Sequence, residues 1–355
     1  MTTASMERRS LVRWLLPAAN HPKHLGLAHP LAAAALGLAG TTATAIAAHD
    51  LFFAGPSQAV GSSALDVLSA RGLWTYLGLM LAARAPTLGL PRLCYEMLWG
   101  CNIALVVVAI ALQTGRPRLA SAAGVSVSVD QVLWWVDVAT ALATKAVLGG
   151  QAAWPIGVAK YMSWPETTWP RKLSSSHHLW FLPLVMFTAG IPSAPPCAPG
   201  ALQLFARLGG EFALSLVLMA CAAAAARCLT PFRMPPEPAP GDAPSSDRRP
   251  ASVAASVAAS SAWDSCCGGA NASVSTSAAP RTTIRDMPEE KEGAYLNINL
   301  VYEVWKDLER FPILQVSHPR GVVHVPRLLC IWATLNVPCT TVLAVLSLVV
   351  PPRRS

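Results

Sequence analysis

Two residue pairs in this chain have the types that nucleophilic chemistry needs. Cys101 and Asn102 lie within the apolar run YEMLWGCNIALVVVAIALQT (95 to 114), and His177 and His178 open another, in SSSHHLWFLPL (174 to 184). A thiol beside an imidazole is the pairing from which acyl transfer is built: the imidazole takes the proton, the thiolate attacks an ester carbonyl, and a thioester carries the acyl group onward. His178 is the expected base, because it stands one residue deeper in its run, while His177 beside Ser176 suits the interface. A further run holds Asp130, Trp134 and Asp137 at i, i+4 and i+7, which puts two carboxylates and an indole on one helical face. Asp137 is the candidate to orient an imidazole as a third catalytic member.

These groups must be carried by membrane helices. Of 355 residues, 53% are hydrophobic and 13% charged, against about a quarter charged in a soluble domain. Apolar runs cover 31 to 49, 72 to 83, 95 to 114, 119 to 148, 178 to 191, 205 to 228 and 328 to 350. Most approach the roughly 20 residues that a bilayer core requires, the second and fifth being shortest. The expected fold is therefore all-α, a polytopic transmembrane bundle of about seven helices. An ionisable group in such a helix is expensive enough to be a functional hypothesis by default. Glu96, Asp130, Asp137, Lys145 and Glu211 all qualify. At 1.5 Å per residue, Cys101 stands roughly 9 Å into its helix and Asp137 roughly 12 Å from Lys145 at the end of its own.

Loop charge sets the orientation. Arg8, Arg9, Arg13 and Lys23, then Arg84 and Arg92, then Lys160, Arg171 and Lys172 fall on one side if seven helices alternate, and positive residues favour the cytosol. The chain divides into a basic cytosolic segment (1 to 28), a bundle of about six helices (29 to 229), a Pro-, Ala- and Ser-rich linker (230 to 290), an amphipathic interfacial segment (291 to 322) and a final helix with its tail (323 to 355). The linker has almost no large aliphatic residues and is expected to be disordered. The N-terminal apolar stretch is broken by Arg13, which makes it a poor secretory signal; its basic character, with Glu7 as the one acid, leaves an organelle transit peptide as the alternative.

The loop between the fourth and fifth runs carries Trp-Pro pairs at 154, 164 and 169. It is expected to anchor at the headgroup level or to form a lid, with Arg171 and Lys172 meeting a lipid phosphate. Asn297 and Asn299, in LNINL, are candidate donors to a substrate carbonyl, although capping is the commoner fate of Asn. Asn102, Asp130 and Trp134 complete the candidate substrate contacts, and His318 and His324 read as surface residues. Nine cysteines scattered through apolar runs do not form a disulfide framework. No CxxC, HExxH or HxxxH spacing occurs, so no metal ligand set or other cofactor is expected. The net charge of +8 reads as contact with anionic membrane lipids rather than with nucleic acid, and protein partners stay open.

Cys101-Asn102 early in one helix, Ser176-His177-His178 with Pro183 in a later one, and LNINL before the last helix together form a layout similar to the YwaF-like integral membrane family, which includes a Cys/His acyltransferase acting on phospholipids. The resemblance implies a helical bundle with Cys101 as nucleophile and His177 or His178 as base. The doubled histidine, the Asn after the cysteine and the long linker depart from that pattern. Two other readings stand beside it: a channel or carrier whose path is lined by Asp130, Asp137, Glu211 and the histidines, and an intramembrane metal hydrolase built on His177, His178 and Asp137.

Overall fold

Proline marks where several helices begin, because its missing N–H costs nothing in a first turn. A computed structural model describes residues 30–53, 62–149, 152–165, 167–189, 201–231, 298–301 and 324–349. Among these, Pro30 opens α1 (Pro30–Phe52), while Pro91, Pro117 and Pro170 stand in the first turns of α3 (Leu90–Glu96), α5 (Pro117–Ser126) and α7 (Trp169–Ser174). α2 (Ala64–Leu88) instead begins with a capping box, Ser63 and Asp66 satisfying each other's backbone N–H. The remaining helices are α4 (Gly100–Gln113), α6 (Ser128–Leu148), α8 (His177–Thr188), α9 (Ala201–Leu229) and α10 (His324–Val349), with 3-10 turns at Lys160–Ser163 and Ile298–Leu300. No strand occurs among the described residues.

Pro30–Phe52 and Gly209–Leu229 are long and apolar enough to cross a membrane. Two bent pairs qualify if each counts as one span: Leu90–Glu96 with Gly100–Gln113, bent by 71°, and Pro117–Ser126 with Ser128–Val147, bent by 52°. That makes two to four candidate spans among the described residues rather than about seven. α2 carries Asp66, Arg71 and Arg84, and α8 has only 12 residues, about 18 Å of helix.

α4 is the centre of the packing. Residues 102 to 109, 111 and 112 are all buried, as expected of a helix apolar on every side. It lies against α2 and α5, and α9 packs on both α1 and α5. α8 crosses α5 closely at Gly124, where an added Cβ would stand 2.8 Å from Val185 Cγ1. That close approach brings the start of α8 toward the start of α4.

The third and fourth apolar runs read in sequence as single helices, and both are broken. Between α3 and α4 the chain turns at 97–99, with Trp99 extended (φ −61°, ψ 137°). Cys101 therefore does not lie well inside a continuous helix but in the first turn of a new one. The second break is at Val127 and puts Asp130 in the first turn of α6. The N-terminal segment, the linker and most of the interfacial segment lie outside the described residues, as do Asn297, Glu166 and His318.

Candidate functional site

The bend before α4 is pinned from two directions. Gly100 donates its N–H to Asn299 Oδ1 at 2.7 Å, while Asn299 Nδ2 donates to the carbonyls of Leu98 (2.8 Å) and Ala222 (3.2 Å). Asn299 does this from a left-handed backbone (φ 55°), which Asn tolerates better than most residues. Asn102 Nδ2 donates to the carbonyl of Glu96 at 2.8 Å from the other side of the turn. Cys101 is thereby held in the first turn of α4, at the positive end of the helix dipole.

The first turn of α8 supplies the imidazoles. One ring nitrogen of His177, one of His178 and Cys101 Sγ all lie within 4.8 Å of one another. His177 is 2% exposed. Its Nδ1 is 3.0 Å from the Ser174 carbonyl and 3.2 Å from the Tyr76 hydroxyl, which itself donates to that carbonyl at 2.5 Å. A carbonyl only accepts, so Nδ1 carries the proton and Nε2 keeps its lone pair. That Nε2 is buried and has no hydrogen-bond partner among the described residues.

His178 is held differently. Gln131 Nε2 faces its Nδ1 at 3.1 Å, which makes Nδ1 the acceptor and leaves the ring N–H on Nε2. Trp134 stacks on the same ring at 5.8 Å between centroids, and Trp135 Nε1 donates to the His178 carbonyl at 2.6 Å. The two imidazoles lie 4.2 Å apart, inclined at 33°.

A buried ionic group adjoins this turn. Arg84 Nε donates to Ser174 Oγ at 2.6 Å, and its other nitrogens reach Ser175 Oγ (3.4 Å) and Glu96 Oε2 (3.5 Å). Glu96 also faces Arg92 Nε at 3.4 Å and Arg171 Nη2 at 3.6 Å. Three guanidinium groups share one carboxylate, leaving an excess of positive charge beside Ser174 and Ser175. Lys172 instead lies over the exposed Trp169 ring, 6.0 Å from its centroid.

The acids divide. Asp130 is half-buried and is an electrostatic neighbour of Cys101; among the described residues it forms no salt bridge. Asp137 is fully buried, and its two oxygens accept from the backbone N–H groups of Ile156 (2.7 Å), Gly157 (3.1 Å) and Ala159 (2.9 Å). Both Asp137 oxygens hold the 152–165 loop, and among the described residues neither is hydrogen-bonded to an imidazole. That loop brings Tyr161 against Ser175 and Trp134, and burial pushes the Tyr161 phenol up.

Other placements also differ from expectation. Asn299 clamps the backbone rather than offering donors to a substrate. His324 is not a surface residue: it is 1% exposed, with Nε2 2.8 Å from the Leu300 carbonyl. Sequence reasoning did not single out Tyr76, Gln131 or Ser174, and counted Arg84 only as a loop charge. A polar residue deep in an apolar run is the signal that Gln131 carried, whereas Arg84 stands just past the end of the run 72 to 83. Comparisons with protein-family models, curated proteins and solved structures return no match.

Proposed function

We propose that this chain is a multi-pass membrane protein that transfers an acyl group between lipids through a thioester on Cys101, with His177 as the base. The observation that carries this reading is the convergence of Cys101, His177 and His178 within 4.8 Å. His177 Nε2 takes the thiol proton, and the thiolate attacks the ester carbonyl carbon of a donor lipid. The tetrahedral intermediate collapses with cleavage of the ester C–O bond, and the leaving alcohol receives the proton from His177. In the second half, an acceptor lipid hydroxyl gives its proton to His177 Nε2 and attacks the thioester. The C–S bond breaks, and the thiolate regains a proton from the imidazolium. His178, with its N–H on Nε2, is placed to donate to the developing oxyanion.

Substrate contact falls to the surplus guanidinium groups. Arg92 and Arg171 share Glu96 with Arg84, and the excess charge suits a headgroup phosphate. The meeting of Arg84, Arg92 and Arg171 on one carboxylate also supports a single basic, cytosolic end for the bundle. Arg116 follows α4 at its far end, where it pairs with Asp50.

The conducting-path reading fits less well because its acids are engaged elsewhere: Asp137 in the loop, and Glu211 with Ser121 Oγ at 2.9 Å. A hydrolase metal held by His177, His178 and Asp137 lacks its third ligand for the same reason. The test is transfer of a labelled acyl chain between lipids in reconstituted vesicles. Cys101→Ala should abolish it, with acyl-enzyme trapped in the parent protein and released by hydroxylamine. Full transfer by Cys101→Ala would end the thioester mechanism.

A further inference from the structure

Cys101, His177 and His178 have a second capacity. One sulfur and two imidazole nitrogens within 4.8 Å of one another need only small side-chain rotations to close on a tetrahedral ion, where Zn–S is about 2.3 Å and Zn–N about 2.0 Å. His177 Nδ1 already donates to the Ser174 carbonyl, beside the Tyr76 hydroxyl, which is how metal-binding imidazoles are oriented from behind. His178 ligates through Nε2 once its proton moves to Nδ1 and the Gln131 amide turns its Oε1, which has no partner among the described residues, toward that nitrogen. Moreover, His177 Nε2 is buried without a partner among the described residues, in a residue only 2% exposed.

We propose that these three side chains reversibly bind a thiophilic divalent ion of the zinc class, and that the bound ion shuts off acyl transfer. Thiolate and imidazole donors suit zinc over magnesium or calcium. Binding displaces the Cys101 thiol proton to solvent and forms one metal–sulfur and two metal–nitrogen bonds. It consumes the nucleophile and the His177 lone pair together, so an occupied site has neither thiolate nor base for catalysis. The two rings, 4.2 Å apart between centroids, open to about 5 Å when both bind one tetrahedral ion. The inhibitory consequence rests on the acyl-transfer reading; the binding itself does not.

The experiment uses the purified full chain, stripped with a chelator and titrated with Zn2+ against a chromophoric competitor, with Co2+ in parallel for its thiolate charge-transfer band. One equivalent should bind. Cys101→Ser should remove the band, and His177→Asn or His178→Asn should each weaken binding about tenfold or more. Cys266→Ser/Cys267→Ser, in the linker, should leave it unchanged. Bound Zn2+ should also protect Cys101 from maleimide in the unaltered protein, a readout that does not depend on the variants folding. In vesicles, Zn2+ should stop acyl transfer and a chelator should restore it. No binding, binding that survives Cys101→Ser, or alkylation of Cys101 unaffected by Zn2+ would overturn the site. Transfer that needs the metal would overturn its inhibitory role. Saturable binding in a protein that transfers no acyl group under any condition would support the ion site and overturn the acyl-transfer reading.

Discussion

Asn299 holds the N–H of Gly100 at 2.7 Å across 199 residues of sequence, so a short turn before the last helix determines where the candidate nucleophile stands. With its two further donations, to Leu98 and Ala222, this one amide ties α9 to the bend before α4. Each such bond contributes about 1 kcal/mol net, and an orphaned buried partner costs more.

Asn299→Gly isolates that clamp, because glycine keeps the left-handed backbone and removes only the side chain. We expect a loss of about 2–4 kcal/mol in stability and at least a tenfold fall in the alkylation rate of Cys101 relative to another half-buried thiol, Cys221. Equal alkylation ratios in the two proteins would show that Cys101 holds its place without Asn299.

Asp137 gives a prediction of a different kind, since it acts on a loop rather than on the thiol. Asp137→Asn leaves one side-chain acceptor where three backbone N–H groups now converge on two, and its own amide hydrogens face those donors. Faster proteolytic cleavage within 152–165 is expected, with a stability loss of about 1–3 kcal/mol. Unchanged cleavage would mean that the hydrophobic contacts of Ile156 and Val158 with Leu300 and Ile331 hold the loop alone.

The candidate residues of the site were legible in sequence because lipid-like surroundings make polar groups conspicuous. Cys101, His177, His178, Asp130 and Trp134 could each be picked out on that ground. Their partners were less visible for two reasons. Tyr76 and Ser174 are ordinary residues whose role comes from a meeting 98 positions apart, which no local pattern encodes. The bends at 97–99 and Val127 are also hidden, since neither interrupts the apolar run with a proline, and the first is held by an asparagine far along the chain. The helical class followed from composition and period; the number of spans did not, because α2 carries its charges within the helix.

Glu96 tests the buried ionic group. Removing its charge leaves Arg84, 6% exposed, with two serine hydroxyls and no carboxylate. Breaking one side of a buried pair costs about 3–5 kcal/mol, so Glu96→Gln should lower the thermal midpoint sharply. Arg92→Gln should do so little, because Glu96 retains Arg84 and Arg171. Equal effects of the two changes would remove Arg84 from its central place in the group.

The two histidines lead to the last prediction, and here the structure favours a different residue than position alone suggests. Depth in the apolar run pointed to His178 as base. Hydrogen bonding points to His177, because the Ser174 carbonyl can only accept from its Nδ1 and so leaves Nε2 unprotonated. Gln131 facing His178 Nδ1 puts the proton of that ring on the other nitrogen, which suits a donor and not a base. His177→Ala should therefore lower acyl-enzyme formation about 100-fold or more, the usual range for a lost general base. His178→Ala should lower it less, while Tyr76→Phe, which leaves the Ser174 carbonyl in place, should cost about tenfold or less. The measurement is the rate of thioester formation on Cys101 from a labelled donor lipid in vesicles, followed across pH for each variant. A loss confined to His178→Ala would return the base to His178 and refute the tautomer argument.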